Sequence, residues 1–282
     1  MPQSQVDLHL HTTCSDGRLT PTQLVELVAE KGMRVVAITD HDSTEGLAAV
    51  VETSKRFPQL SIIPGIELST DIPGNEIHVL GYFIRYSDIG FQQTLSEFRD
   101  GRVARAREMV DKLAALGLPV DWDRVLELAD GAVGRPHIAQ AMVEKGYITY
   151  PQEAFIKHLG RNGLAYAERE KLTPTEAVKL ITGVGGLPVL AHPREVDNVE
   201  PMLPELKAAG LVGMEVYYGT YKTSEVKAFA AMAKKYGLIP CGGSDYHAMG
   251  TPGEVEPGMV GPSLEIAEKL YAMSGNKISL SK

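Results

Sequence analysis

The chain reads as an α/β protein, a distorted seven-stranded (β/α)7 barrel of the TIM-like kind that carries a helical insertion. Three observations predict it. Short apolar runs alternate with helical stretches, the pattern of successive βα units in a parallel sheet. Seven such runs can be counted along the 282 residues. Run after run places a His, Asp or Glu at or near its carboxyl end, where a closed barrel gathers residues on one rim.

The first run, Val6-Asp7-Leu8-His9-Leu10-His11, alternates with period two, so His9 and His11 share one strand face. Such a pair suits a metal ion, although a histidine on an apolar strand can equally be an ordinary core residue. Thr20 and Pro21 supply an N-cap and a first-turn proline for a helix that stops at Gly32. Val35-Val36-Ala37-Ile38 is continuously apolar, as in a strand buried on both faces, and ends in Thr39-Asp40-His41. A helix over 43–56 leads to strands over 60–67 and 76–83. Strands over 187–193, 212–218 and 238–247 follow later, separated by helices over 174–183, 201–209 and 223–236. Between Phe83 and Thr173 the pattern changes to helices at about 91–116, 121–129, 136–145 and 150–159 with no strand between them. The expected division is 1–90 for the first part of the barrel, 91–171 for the helical insertion and 172–282 for the second part.

Composition narrows the function classes. At 44% hydrophobic, the chain can bury one large core. Its 28 basic and 36 acidic residues give a formal charge of −8, which argues against broad adhesion to nucleic acid or anionic membranes. A phosphorylated ligand would therefore need a local positive site. Two cysteines, Cys14 and Cys241, leave no disulfide framework and no CxxC motif. With no export segment and no apolar run of spanning length, a cytoplasmic protein without a membrane or obligate protein partner is expected. Gly242-Gly243 would let backbone approach the rim closely.

The ligand-capable residues near strand ends are His9, His11, Asp16, Asp40, His41, Glu67, His78, His192, Asp245 and His247. Six of the eight histidines belong to this set, a placement that scattered core histidines would not produce, so the metal reading prevails. His9-Leu10-His11 with Ser15-Asp16-Gly17, Thr39-Asp40-His41, Pro64-Gly65-Ile66-Glu67, Ala191-His192-Pro193 and Gly243-Ser244-Asp245-Tyr246-His247 resemble, in order, the motifs of the polymerase and histidinol phosphatase (PHP) superfamily. The resemblance covers residues 6 to about 90 and about 172 to 250.

The resemblance implies a PHP barrel with three divalent ions. His9, His11, Glu67 and Asp245 would surround one ion, Glu67, His78 and His192 a second, and Asp16, His41 and His247 a third, with Glu67 as the bridge. A carboxylate at Asp16 favours Mn²⁺ or Mg²⁺ over Zn²⁺, with Fe²⁺ also compatible. Six imidazoles and three carboxylates around three divalent ions leave a formal charge of roughly +3, an attractor for phosphate. A hydroxide between two ions is the expected nucleophile for phosphoester hydrolysis. Asp40 either orients a ligand histidine or caps the following helix. Glu67, Asp40 and His158 form the catalytic set, His158 as a phosphate ligand, as the acid for the leaving oxygen, or as a structural residue.

The insertion is expected to choose the substrate through Arg102 and Arg105, which are i, i+3 on a helix, Gly134 and Arg135 at a turn, and Lys157, His158 and Arg161 in a glycine-bounded loop. Solvated helix positions are the alternative for Arg102 and Arg105. His137 reads as structural. Within the superfamily the chain is similar to the stand-alone branch, which implies release of the 3′-phosphate from nucleoside 3′,5′-bisphosphates such as adenosine 3′,5′-bisphosphate. The alternatives are 5′-to-3′ exonuclease action on short RNA, histidinol-phosphate hydrolysis, and a non-catalytic polymerase-associated module.

Overall fold

The computed structural model describes residues 3–72, 75–129, 132–168, 172–251 and 253–276, so the expected segment ends at 1–2, 169–171 and 277–282 lie outside the described residues. Among the described residues seven strands form one sheet in chain order: β1 (Val6–Asp7), β2 (Val35–Ile38), β3 (Ser61–Ile72), β4 (Asn75–Tyr82), β5 (Leu187–Leu190), β6 (Gly213–Tyr218) and β7 (Ile239–Gly243). Extensions of β1 and β7 bring the sheet round into a nearly closed barrel. Leu8 N–H donates to Gly242 O at 3.2 Å, His11 N–H to Tyr246 O at 3.0 Å and Asp245 N–H to His9 O at 3.0 Å. His9 and His11 thus lie on the extended continuation of a two-residue strand.

The all-parallel expectation is corrected at β4, which runs antiparallel to both β3 and β5. The reason is connection length. β3 ends at Ile72 and β4 begins at Asn75, whereas a parallel neighbour needs a crossover of about a dozen residues or more. Reversal explains why His78 reaches the rim from the amino-terminal half of its strand, where it pairs with Ser69.

The helices are α1 (Pro21–Glu30), α2 (Leu47–Ser54), α3 (Ile89–Ala115), α4 (Trp122–Leu128), α5 (Arg135–Glu144), α6 (Pro151–Ala154), α7 (Pro174–Gly183), α8 (Leu203–Ala209), α9 (Thr223–Tyr236) and α10 (Leu264–Ser274). α1 begins as expected, with a capping box between Thr20 and Gln23. α2 starts four residues later than the expected 43, because Asp42 sits in left-handed backbone (φ 49°) and Gly46 is the N-cap. The helix expected over 150–159 is broken: α6 gives way to a π-helical turn, Phe155–Leu159. α10 was not anticipated, although Ser263 and Gly275 are ordinary start and stop residues.

Three apolar clusters hold these elements. One packs the sheet against its flanking helices through residues such as Leu24, Val36, Ile66, Ile181 and Met214. A second joins Leu8, Leu80, Val189 and Cys241 to Leu270 and Tyr271 of α10. The third, with Met109, Leu113, Val125, Ile138 and Met142, lies wholly within the span 106–167.

Gly242 and Gly243 show how tightly the barrel end is drawn in. A Cβ on Gly242 would stand 1.9 Å from Tyr217 O, and one on Gly243 would stand 2.5 Å from His9 N and 2.6 Å from Asp7 Oδ1. Tyr217 O and His9 N are backbone atoms, and Asp7 Oδ1 is tied down by the amides of Ser244 and His9. Gly243→Ala is therefore expected to cost about 1–3 kcal/mol, read as a lowered urea midpoint with an unchanged slope. An unchanged midpoint would mean that the segment carrying His9 moves aside freely.

Candidate metal centre

Glu67, in the middle of β3, points a fully buried carboxylate into the rim. Its Oε1 lies 2.8 Å from His78 Nδ1 and 3.0 Å from His192 Nε2. Its Oε2 lies 3.1 Å from His9 Nε2, 3.2 Å from His11 Nε2 and 3.1 Å from His41 Nδ1. Asp245 Oδ1 is 3.2 Å from His9 Nε2 and 3.1 Å from His11 Nε2. Asp16 Oδ1 is 3.2 Å from His247 Nε2, and its Oδ2 is 3.8 Å from His41 Nε2. All the residues expected as ligands therefore surround one pit.

Within that pit, three sets of donor atoms lie within 4.8 Å of one another: His9, His11, Glu67 and Asp245; His11, Asp16, His41 and His247; and His41, Glu67 and His78. The first is the expected first set. The second adds His11 to the expected third set, and the last places His41 where His192 was expected, although His192 also contacts Glu67. The donor chemistry fits divalent ions. His11 Nε2, Asp16 Oδ1, His41 Nδ1 and Asp245 Oδ1 are buried and make no hydrogen bond of acceptable geometry, and crowded lone pairs of this kind are what a cation satisfies.

The charges are strongly coupled. Burial disfavours ionised Glu67, but His41, His9 and His78 hold its carboxyl well below the usual range. Burial is likewise outweighed at Asp16, which His247 and His41 pull down, and at Asp245, which His9 and His247 pull down. Burial opposes charge on His247, yet Asp16 and Asp245 raise it to about 10. At His41 burial prevails and lowers the ring to about 3.

The residues that hold the ligands in place were mostly missed by the sequence reading. Glu215, fully buried on β6, has Oε1 at 3.1 Å from His9 Nδ1 and accepts the His192 backbone N–H at 2.7 Å through Oε2. Asp7 accepts the backbone N–H groups of Ser244 (3.0 Å) and His9 (3.3 Å), and burial pushes its carboxyl up to about 7. Tyr218 donates its hydroxyl to Asp245 Oδ2 at 2.6 Å. A carboxylate inside an apolar strand was the readable signal for Glu215, and parity with His9 and His11 was the signal for Asp7.

Asp40 is corrected in part. It neither caps α2 nor touches a histidine ring in any hydrogen bond. It accepts from Thr12 N (2.7 Å), Thr12 Oγ1 (2.7 Å) and Ser15 Oγ (2.6 Å), and Ser15 Oγ lies 3.4 Å from His11 Nδ1. Its action on His11 passes through Ser15. Two of the expected ligands also sit in left-handed backbone, His192 at φ 24° and Asp245 at φ 55°, the kind of local strain found at functional sites.

The insertion contributes a small cavity of about 180 Å³ beside the pit, walled by Asp16, His41 and His78 on one side and Arg102, Arg105 and Arg135 on the other. Arg102 donates through Nε to Asp42 and through Nη2 to Ser69, both at 2.7 Å. Arg135 donates to Glu76 at 2.7 Å and stacks over Phe155. Arg105 donates to Ala167 O at 2.8 Å and stacks on Tyr166. Gly134 lines the cavity, but its amide donates to His137 Nδ1 at 3.0 Å. Lys157, His158 and Arg161 are not brought to this cavity. Lys157 pairs with Glu153, Arg161 is bound to Asp71, and His158 lies in the π-turn.

Comparison with known proteins agrees with this geometry. The PHP domain model matches residues 7–87. A 3′,5′-nucleoside bisphosphate phosphatase of Chromobacterium violaceum is 32% identical over 256 residues, covering 89% of this chain and 90% of that protein. The 5′-3′ exoribonuclease Rnm of Salmonella typhimurium is 35% identical over 275 residues, covering 95% and 90%. A crystal structure described as a metal-dependent phosphoesterase, from Bifidobacterium adolescentis, superposes with a TM-score of 0.87 at 28% identity over 97% of this chain and 98% of that one. With its seven-stranded barrel, its clustered His and carboxylate donors and these relatives, the chain belongs to the PHP family of metal-dependent phosphoesterases.

Proposed function

We propose that the protein removes the 3′-phosphate from nucleoside 3′,5′-bisphosphates such as adenosine 3′,5′-bisphosphate, leaving the 5′-monophosphate. The observation that carries this reading is the arginine-walled cavity opening beside the ligand pit. A substrate with one phosphate at the ions and another among Arg102, Arg105 and Arg135 is a bisphosphate. The name of the Chromobacterium relative supports the same choice. Short RNA is the second reading, supported by the name of the Salmonella relative. On both readings the insertion, 91–171, selects the substrate. Two thiols and no disulfide suit a cytoplasmic setting, and among the described residues no helix is long and apolar enough to cross a membrane.

His9, His11, Glu67 and Asp245 would hold one divalent ion, Glu67, His78 and His192 a second, and Asp16, His41 and His247 a third, with Mn²⁺ favoured by the carboxylate share. Once bound, the ions supply Lewis acidity that lowers the pKa of water and neutralises charge on the phosphoryl oxygens. The chain does the rest. Glu215 accepts the Nδ1–H of His9, which leaves Nε2 as the nitrogen facing the pit. Tyr218 occupies Asp245 Oδ2 and leaves Oδ1 facing the pit. Asp40 fixes the span from Thr12 to Ser15 that carries Asp16. Asp42 and Glu76 keep Arg102 and Arg135 aimed while a second phosphate binds. His158 has no part in proton transfer on this reading.

Three outcomes are expected. Metal-stripped protein should release no phosphate from adenosine 3′,5′-bisphosphate until Mn²⁺ is added; release from no phosphoester at all, with Mn²⁺ present, would overturn the reading. Arg135→Ala should raise KM for the bisphosphate about tenfold or more while affecting a 3′-monophosphate much less, and equal losses on both would remove the cavity from substrate binding. Glu215→Gln should weaken Mn²⁺ binding about 10–100-fold in a titration followed by metal analysis, with the fold intact by circular dichroism.

A further inference from the structure

A second cavity, of about 930 Å³, opens on the other side of the pit, and Asp245 and His247 form part of its wall. It shares Asp16, Pro136 and Phe155 with the arginine cavity, so the start of α5 and the π-turn stand as a partition between the two. Their sizes differ decisively. At about 180 Å³ the arginine cavity is well below the roughly 300–1,000 Å³ of sites that enclose an organic ligand, whereas the second lies within that range. A phosphate group fits the first. A base and ribose do not.

We propose that the second cavity binds the nucleobase of the substrate, with Phe155 as its stacking surface. This rests on the phosphatase reading above and assigns the part of the substrate which that reading leaves unplaced. The lining suits a planar, uncharged group: Leu128, Pro136, Phe155 and Met249 supply apolar surface. The charged groups are already engaged. Arg124 is held by Glu144 at 2.8 and 2.9 Å and by Glu127 at 3.0 Å, and Arg18 donates to Gln140. Glu254 accepts the amides of His247, Met249 and Gly250. Its lining sets Glu127, Glu144 and Glu254 against Arg18 and Arg124, whereas three arginines outnumber Asp16 and Glu76 in the first cavity, so the second attracts no further phosphates, which sets it against a long RNA chain. Phe155 is suited to its role by position. It belongs to a π-turn, a rare element concentrated at functional sites, and the Arg135 guanidinium over its ring ties the stacking surface to the phosphate cavity. Stacking on an aromatic ring is tolerant of base identity, so weak base preference follows.

The test compares adenosine 3′,5′-bisphosphate with its abasic tetrahydrofuran analogue in wild type, Phe155→Ala, Phe155→Trp and Met249→Ala, the last a lining residue from the barrel-side loop after His247. Wild type should favour the nucleotide in kcat/KM. Phe155→Ala should cut that preference about fivefold or more, Phe155→Trp should retain it, and Met249→Ala should reduce it. Calorimetric titration of adenosine 5′-monophosphate, which needs no turnover, gives a separate arm. Phosphate release with equal preference in wild type and Phe155→Ala, and with nucleotide binding unchanged in both Phe155→Ala and Met249→Ala, would overturn the proposal. Nucleotide binding weakened by Phe155→Ala without any phosphate release from either substrate would uphold the base site and discard the phosphatase reading instead. Misfolding of Phe155→Ala, seen by circular dichroism, leaves Met249→Ala and Phe155→Trp to decide.

Discussion

One buried carboxylate organises the rim. Glu67 meets five imidazoles, two through Oε1 and three through Oε2, and these come from β1, β2, β4 and β5 or their extensions. A lone ionised group so deeply buried would be prohibitively costly. Its neighbours make it tolerable only if every strand delivers its histidine in register. The closure of β1 on β7, the reversed β4 and the glycines beside His9 are conditions for that meeting.

Around this centre the molecule divides its work between two bodies of packing. The barrel supplies the pit, whereas the insertion, with its own cluster of Met109, Leu113, Ile138 and Met142, supplies walls on both sides of it. The two are fastened where α5 begins. Ala132 N–H donates to Cys14 O and Arg18 to Gln140. The Cys14–Asp16 span is thus held by Asp40 from the barrel side and by the insertion from the other, so the insertion also steadies a carboxylate of the candidate metal pit.

The barrel and the clustering of candidate donors at its rim were legible because the chain repeats one physical pattern, an apolar run ended by a polar donor, at His9, His41, Glu67, His192 and Asp245. What stayed hidden has identifiable causes. The direction of β4 depends on a short connection between two runs, and periodicity carries no direction. Glu215 and Asp7 stand out in the sequence only as carboxylates within apolar strands, and their complete burial shows which groups they hold. Arg102, Arg105 and Arg135 were readable as candidates, but spacing alone could not show that Arg105 turns to Tyr166 while Arg102 reaches Asp42. The π-turn at Phe155–Leu159 has a helical sequence pattern and becomes visible only through its backbone.

His192 and Asp245 occupy left-handed backbone without being glycine. Each such residue lowers stability by on the order of 1–3 kcal/mol, and here the loss falls on positions that face the reaction. Changes that relax either backbone would make a sturdier protein and a poorer catalyst, so gains in thermal robustness are to be sought in the barrel's outer helices and the insertion core, away from these two loops.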